Sequence, residues 1–383
     1  MSRPIQAHID LAALRHNFIV AQTHAGAASV WAVLKANAYG HGLARCASAL
    51  VPCMRNNDGV ALVEIEGAIA LRESGIRHPI LLLEGFYEPD EIPLMAEYQL
   101  IPTLHCLEQV HALIQAALPV KMPVHLKLNT GMNRLGLTQE EFMLALKLLK
   151  ASRQISSITL MTHFSDADCA SEDEGNIGHK GISLQMQRLH HLLQAAGDPA
   201  LTLTLPLSLA NSAALIRYPE IRGNSLYQAR PGIMLYGGSP FPEQQTATAL
   251  GLQPVMTLES ELIATRHIVA GDRVGYSGAF TAHEPMRIGI VACGYADGYP
   301  RHAPTGTPVL VDGQRTRTLG RVSMDKLCID LTTMPHATQG TRVVLWGKGL
   351  PADEVASAAN TISYELFCAL AARVPITVGS IEH

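Results

Sequence analysis

The chain reads as an α/β protein, a (β/α)8 TIM barrel followed by a smaller, mainly antiparallel β domain. Three observations carry that reading. From about residue 10 to residue 243, short β-branched or leucine-rich runs alternate with longer amphipathic ones, as repeated βα units require. In the C-terminal part, residues 244–383, this rhythm gives way to short alternating runs bounded by glycine. The chemically unusual strings of the first part fall just behind the expected strands, where a barrel carries its active groups.

Taken in order, the expected barrel strands are 30–34, 58–63, 79–83, 99–103, 123–128, 157–162, 202–207 and 226–230. Helical patterns such as Leu43–Val51, Glu64–Glu73, Leu107–Ala117 and Glu140–Leu149 separate them. In the last of these, Phe142, Leu144, Ala145, Leu146, Leu148 and Leu149 make a broad apolar face, as expected of a helix packed outside a sheet. An open doubly wound sheet is the alternative, but no G-x-G-x-x-G follows the first strand. The second domain is expected to hold strands at 254–268, 273–276, 286–293, 308–311, 315–319, 326–331 and 341–345, with helices at 351–359 and near 362–371. Residues 1–9 alternate through Ile5, Ala7 and Ile9 and are expected to lend it a strand. No internal repeat or low-complexity segment interrupts the pattern.

Composition narrows the function classes. At 383 residues, with 48% hydrophobic and 16% charged residues, the chain suits a barrel plus a second core. A net charge of −4 and the lack of a basic run interleaved with aromatics argue against nucleic-acid binding. No run approaches the ~20 apolar residues of a membrane helix, and Met1–Asp10 lacks the apolar core of a secretory signal. The seven cysteines are scattered and form no C-x-x-C, so free thiols and a cytoplasmic protein are expected. There is no H-E-x-x-H, and His105 and His111 lack a third ligand nearby in sequence, so no metal is expected.

The chemistry begins at Lys35, which ends the apolar run Val30–Leu34 and precedes Ala36-Asn37-Ala38-Tyr39-Gly40-His41-Gly42. A lone lysine at a strand end most often reaches water. A buried one is costly unless it sheds its charge, and a neutral lysine amine can condense with an aldehyde. Further loaded strings follow later strands. These are Lys127–Gly136 after the fifth, Thr162-His163-Phe164 after the sixth, Asn211-Ser212-Ala213 after the seventh and Arg230-Pro231-Gly232-Ile233 after the eighth.

The string Val30–Gly42 resembles the pyridoxal-phosphate lysine segment of the alanine racemase family, A-V-x-K-A-N-A-Y-G-H-G. Lys127–Leu137 resembles K-x-D-T-G-M-x-R-x-G, with Asn129 where the family commonly has aspartate. Arg230–Gly237 resembles R-P-G-I-x-L-Y-G. In the second domain, Val274–Gly278, Cys293–Arg301, Gly320–Asp325 and Thr361–Leu366 resemble further family strings, and only Ile376 departs, where a second arginine is usual. The resemblance runs from about residue 8 to residue 375.

It implies a homodimeric racemase of alanine that uses pyridoxal 5'-phosphate and supplies D-alanine for peptidoglycan or serves alanine catabolism. Lys35 would carry the cofactor and act as one base, with Tyr276 as the other. Tyr39, Ser212, Gly232, Ile233 and Tyr364 would hold the phosphate, with Asn211 and His163 also at the cofactor. Arg134 would donate to the phenolic oxygen, oriented by a carbamylated Lys127, since a carbamate turns a cation into an anion that pairs with arginine. Arg230 would face the pyridine nitrogen and, staying protonated, make the ring a weaker electron sink.

The resemblance also implies a site shared between chains, with the barrel of one meeting Tyr276 and Met324 of the other. Arg134 and Met324 would touch substrate. Asp168, Tyr295, Arg301 and Arg321 would line the entry corridor with His163, Tyr295 narrowing it to small side chains. His163, hydrogen-bonded to Tyr276 with an arginine nearby, would help the tyrosine act as a base, because an unperturbed phenol is a poor one. A serine, lysine or broad-specificity racemase, a non-catalytic pyridoxal-phosphate carrier and a barrel decarboxylase are the competing readings. The second domain and its tyrosine count against the carrier, and an arginine at the ring nitrogen counts against the decarboxylase.

Overall fold

A computed structural model describes residues 3–169, 181–195 and 205–379. It divides into two compact units, one of Phe18–Ala38 and Gly42–Leu235, the other of Met1–Asn17, Tyr39–His41 and Tyr236–His383.

The strands, in chain order, are β1 (Gln6–Ile9), β2 (Ser29–Val33), β3 (Gly59–Leu62), β4 (Ile80–Leu82), β5 (Leu100–Leu104), β6 (Met122–Lys127), β7 (Ile155–Met161), β8 (Leu207–Ser208) and β9 (Tyr227–Ala229). Strands β2 to β9 are parallel and close into an eight-stranded barrel, sealed where Ser29 and Val30 pair with Gln228 and Ala229. Sheets of this kind are covered on both faces, which explains why β2 and β4 are buried along their whole length. Ahead of β3 the buried carboxylate of Asp58 accepts the Val30 N–H (2.7 Å), Gln22 Nε2 (2.8 Å) and Arg55, which ties β2 to its neighbour.

Two expectations shift. Of the run 202–207, residues 202–204 lie outside the described residues, and β8 starts only after Pro206, which has no N–H to give a ladder. The helix expected at 140–149 spans Gln139–Ala151, held at its start by a reciprocal Thr138–Glu141 capping box. Its buried stripe is Phe142, Ala145, Leu146 and Leu149, while Leu144 is exposed. The apolar face is therefore narrower than the sequence pattern suggests.

In the other unit the strands are β10 (Met256–Ile268), β11 (Arg273–Val274), β12 (Phe280–Thr281), β13 (Met286–Val291), β14 (Pro308–Val311), β15 (Gln314–Leu319), β16 (Leu327–Asp330), β17 (Arg342–Trp346) and β18 (Ile376–Val378). Strand β10 pairs antiparallel with β17 near its start and with β13 along its second half, so β10, β13, β16, β15, β14 and β17 return on themselves. Strand β1 adds antiparallel to β10 and parallel to β18. Its alternation decides which way it faces. Ala7 and Ile9 are buried, while Gln6 and His8 reach Glu259 on β10 (3.0 and 2.6 Å).

Candidate active site

Backbone geometry gathers the barrel strings. Val33 N–H donates to Pro231 O (3.0 Å), which brings the strand end before Lys35 against the Arg230–Gly232 turn. Arg230 N–H donates to Ala210 O (2.7 Å), and Gly232 N–H donates to Ser212 Oγ (2.9 Å). Asn211 caps the following helix, its Oδ1 accepting Ala214 N–H (2.9 Å). On the other side, Thr162 Oγ1 donates to Leu128 O (3.1 Å) and lies 2.7 Å from Thr130 Oγ1.

Asn129 shows how it stands in for an aspartate. Its Oδ1 accepts Gly131 and Asn133 N–H (both 3.1 Å), as a carboxylate would, and its Nδ2 donates to Asn133 Oδ1 (3.0 Å). The turn beyond it leaves Arg134 exposed.

The electrostatics are those of buried cations. The Arg230 guanidinium is buried and donates to neutral groups: Ser208 Oγ (2.6 Å), Thr162 O (2.7 Å) and Leu209 O (3.4 Å). Burial lowers its pKa to about 10, so it stays charged at neutral pH. Lys127 is pushed down to about 8 by burial, then by Arg230 and Arg134, with Glu84 opposing and Lys35 adding a little. His163 falls to about 3, through burial first and then the charges of Arg230, Lys127, Arg134 and Lys35, and its ring is neutral at pH 7. Of the two lysines, the deeply buried one is Lys127, whereas Lys35 is half-buried. The burial argued for Lys35 from its strand thus applies more strongly to its neighbour.

After Lys35 the backbone turns left-handed for four residues, Ala36, Asn37, Ala38 and Tyr39, with φ of 52°, 53°, 55° and 50°. Ala38 N–H donates to Leu34 O (2.8 Å), while Gly42 N–H reaches Asn37 O (2.9 Å) and Leu43 N–H reaches Asn37 Oδ1 (2.8 Å). Tyr39 is buried, stacked on Tyr236 at 4.6 Å and tilted against Tyr364 at 5.9 Å. Gly40 passes so close to Phe367 that an added Cβ would sit 2.3 Å from its carbonyl oxygen.

The second unit presents the remaining candidates outward. Tyr276 is 69% exposed on a turn in which Gly275, Ser277 and Gly278 all have positive φ. The adjacent hairpin of β11 and β12 rests on a cluster of Val274, Ala282, Met286, Ile288 and Leu319. Met324 is 53% and Tyr295 37% exposed, and Arg301 and Arg321 are exposed as well. Asp168, on the barrel side, is also exposed.

Two polar groups of the site escaped the sequence reading. Buried Gln185 donates to Thr130 Oγ1 (2.9 Å) and His163 O (3.0 Å), pinning two strings from a helix distant in sequence. Ser208 receives Arg230, and its only sequence signal is a hydroxyl inside the apolar run Leu207-Ser208-Leu209. Among the described residues no cluster of His, Cys, Asp or Glu is arranged to hold a metal, and no helix is long and apolar enough to cross a membrane.

A parallel barrel whose strand ends gather a lysine, buried basic side chains and the Ser212 hydroxyl has the layout of a (β/α)8-barrel enzyme. A family model described as the alanine racemase N-terminal domain matches residues 9–240, and one for the C-terminal domain matches residues 255–378. An alanine racemase of Nitrosomonas eutropha is 50% identical over 98% of this chain and 99% of its own. One of Nitrosomonas europaea is 50% identical over the full length of both. The crystal structure of a biosynthetic alanine racemase from Pseudomonas aeruginosa superposes with a TM-score of 0.88 at 40% identity, covering 99% of this chain and 100% of that one. The chain belongs to the alanine racemase family.

Proposed function

We propose that the protein interconverts L- and D-alanine with pyridoxal 5'-phosphate, in a homodimer whose two sites are each shared between chains. The observation that carries the cofactor reading is the buried Arg230, which donates to neutral groups, beside a second buried cation, Lys127. That charge suits an anionic ring compound, and Ser212 Oγ, which accepts the Gly232 N–H and keeps its own proton to donate, suits its phosphate. Pyridoxal phosphate, when bound, supplies an electron-withdrawing system that acidifies the α-proton of an attached amino acid.

Lys35 would hold that cofactor through its amine and, once freed by substrate, move a proton at the α-carbon from one face. Tyr276 of the partner would do so from the other face, because racemisation needs removal and delivery on opposite sides. Arg230 remains a charged donor at neutral pH, so a ring nitrogen held against it would accept that donor and stay unprotonated, because a second cation there would be repelled. A neutral His163 would offer Tyr276 one ring nitrogen that accepts the phenol proton in a hydrogen bond, but no positive charge at pH 7. Asn211 and Tyr39 would steady the cofactor, with Tyr364 and Ile233 at its phosphate. Arg134, Met324, Tyr295, Asp168, Arg301 and Arg321 would contact or admit the substrate. Exposure of Tyr276, Met324 and Tyr295 supports the shared site, since a partner barrel would cover them. The division into a barrel of residues 10–243 and a β domain of 244–383 joined by 1–9 belongs to the same proposal. The free thiols of all seven cysteines favour a cytoplasmic enzyme, one that supplies D-alanine for peptidoglycan or serves alanine catabolism.

The test is the initial rate of D-alanine formation from L-alanine, with cofactor added and serine run alongside, for the wild type and Lys35→Ala. Rapid turnover of alanine, slow turnover of serine and an inert mutant are expected. A yellow wild type that racemises neither amino acid would refute the proposal.

A further inference from the structure

The β domain holds a buried carboxylate gripped by two arginines from distant parts of the chain. Asp297 is buried at the end of the short turn Tyr295–Asp297, and both of its oxygens are doubly engaged. Its Oδ1 accepts Arg3 Nη1 (2.8 Å) and Arg373 Nε (2.7 Å). Its Oδ2 accepts Arg3 Nη2 (3.0 Å) and the Gly294 N–H (2.9 Å). Burial alone would raise the pKa of this carboxyl, but Arg3, the Gly294 N–H and Arg373 hold it below the ordinary aspartate value.

The two arginines arrive together because of strand register. Arg3 precedes β1 and Arg373 precedes β18, and these strands are parallel neighbours with Ala7 opposite Ile376. Residues just ahead of both strands therefore emerge at the same end of the sheet.

Both arginines also grip a second turn. Arg373 Nη2 donates to Asp325 Oδ1 (2.7 Å), and Arg3 Nη2 donates to Asp325 O (3.3 Å). The two turns are laid against each other, with Tyr295 N–H on Ser323 O and Ala296 N–H on Met324 O (both 3.0 Å). The contact is close enough that a Cβ on Gly294 would lie 2.3 Å from Ser323 O. From these turns project Tyr295 and Met324.

We propose that Arg3 and Arg373, gripping Asp297, are positioning residues that set how far Tyr295 and Met324 stand into the substrate entry, and so set the preference for alanine over larger amino acids. This rests on the racemase reading above. A bidentate arginine fixes the plane of the carboxylate as well as its distance, which a point charge does not. Small displacements of groups that shape a pocket change rates far more than they change stability.

The test uses full-length holoenzyme of the wild type, Arg3→Ala and Arg3→Lys. In Arg3→Ala, amide exchange at residues 294–298 and 323–326 should accelerate about tenfold or more, since a charge-assisted anchor is lost. The serine-to-alanine ratio of kcat/KM should rise by roughly tenfold, mainly through a higher KM for alanine. Arg3→Lys should recover part of both. A lower Tm with unchanged exchange at the two turns, or with an unchanged substrate ratio, would overturn the proposal and leave the arginines as fold supports. A wild type that racemises neither amino acid would refute the racemase reading and the specificity role together, while the exchange data still report on the anchor alone.

Discussion

At the scale of single residues the site turns on a surplus of positive charge. Lys127 lies within the fields of Arg230, Arg134 and Lys35, with Glu84 opposing them. Two chemical answers exist, loss of a proton or conversion to an anion. Carbon dioxide adds only to a neutral amine, forming an N–C bond and releasing a proton, and the product carboxylate can pair with Arg134 or Arg230. With the Lys127 pKa held at about 8, the neutral form is a minority at pH 7 and the majority above pH 8. Bicarbonate-equilibrated protein should therefore gain one labelled carbon on Lys127 near pH ~9 and progressively less toward pH ~6. Carbon NMR with labelled bicarbonate reads this, and a Lys127→Arg variant should stay unlabelled throughout. Absence of label in the wild type at every pH would dismiss the modification. Charge of this kind is only half legible in a sequence. The strings that carry Lys127 and Arg230 stand out as odd, but that Lys127 is the more buried lysine depends on which side chains point into the barrel. Gln185 and Arg3 carry no local pattern, because their partners lie tens to hundreds of positions away.

At the scale of elements the decisive feature is the left-handed turn after Lys35. Non-glycine residues take that conformation at about 1–2 kcal/mol each and rarely in succession. Here four do so, held by the Asn37 side chain and by backbone bonds into Leu34 and Gly42. The turn therefore stores strain directly beside the lysine, a pattern found at functional sites. Ala36 is exposed, so its replacement by glycine removes a Cβ penalty without opening a cavity. Ala36→Gly should raise stability by about 0.5–1 kcal/mol, the left-handed relief being partly offset by the entropy of the unfolded chain. A denaturant titration measures this, and a lowered midpoint would show that the turn is not strained at Ala36. The sequence displays the turn only as a cluster of small residues and asparagine, which marks a bend but not its hand. Regular elements are easier to read, since alternation and helical spacing place most strands and helices within a few residues. They fail where packing is one-sided, as at Leu144, or where proline delays a ladder, as at Pro206.

At the scale of the whole molecule the question is whether each site is completed within one chain or between two. The barrel unit carries Lys35, and the β unit carries Tyr276 on an exposed glycine-flanked turn. A twofold dimer that covered this turn would use the same patch twice and create two equivalent sites. The sequence identifies the two kinds of residue through their strings but is silent on which chain supplies them, since position along a chain is the same in both copies. Mixing two inactive variants resolves the matter. In a hybrid of Lys35→Ala and Tyr276→Phe chains, sharing between chains puts both lesions in one site and leaves the other intact. Random reassociation of equal amounts then yields half hybrids, each with one working site, and so about a quarter of wild-type activity. If each site is built within a single chain, every site in every combination carries a lesion, and the mixture stays as inactive as its components.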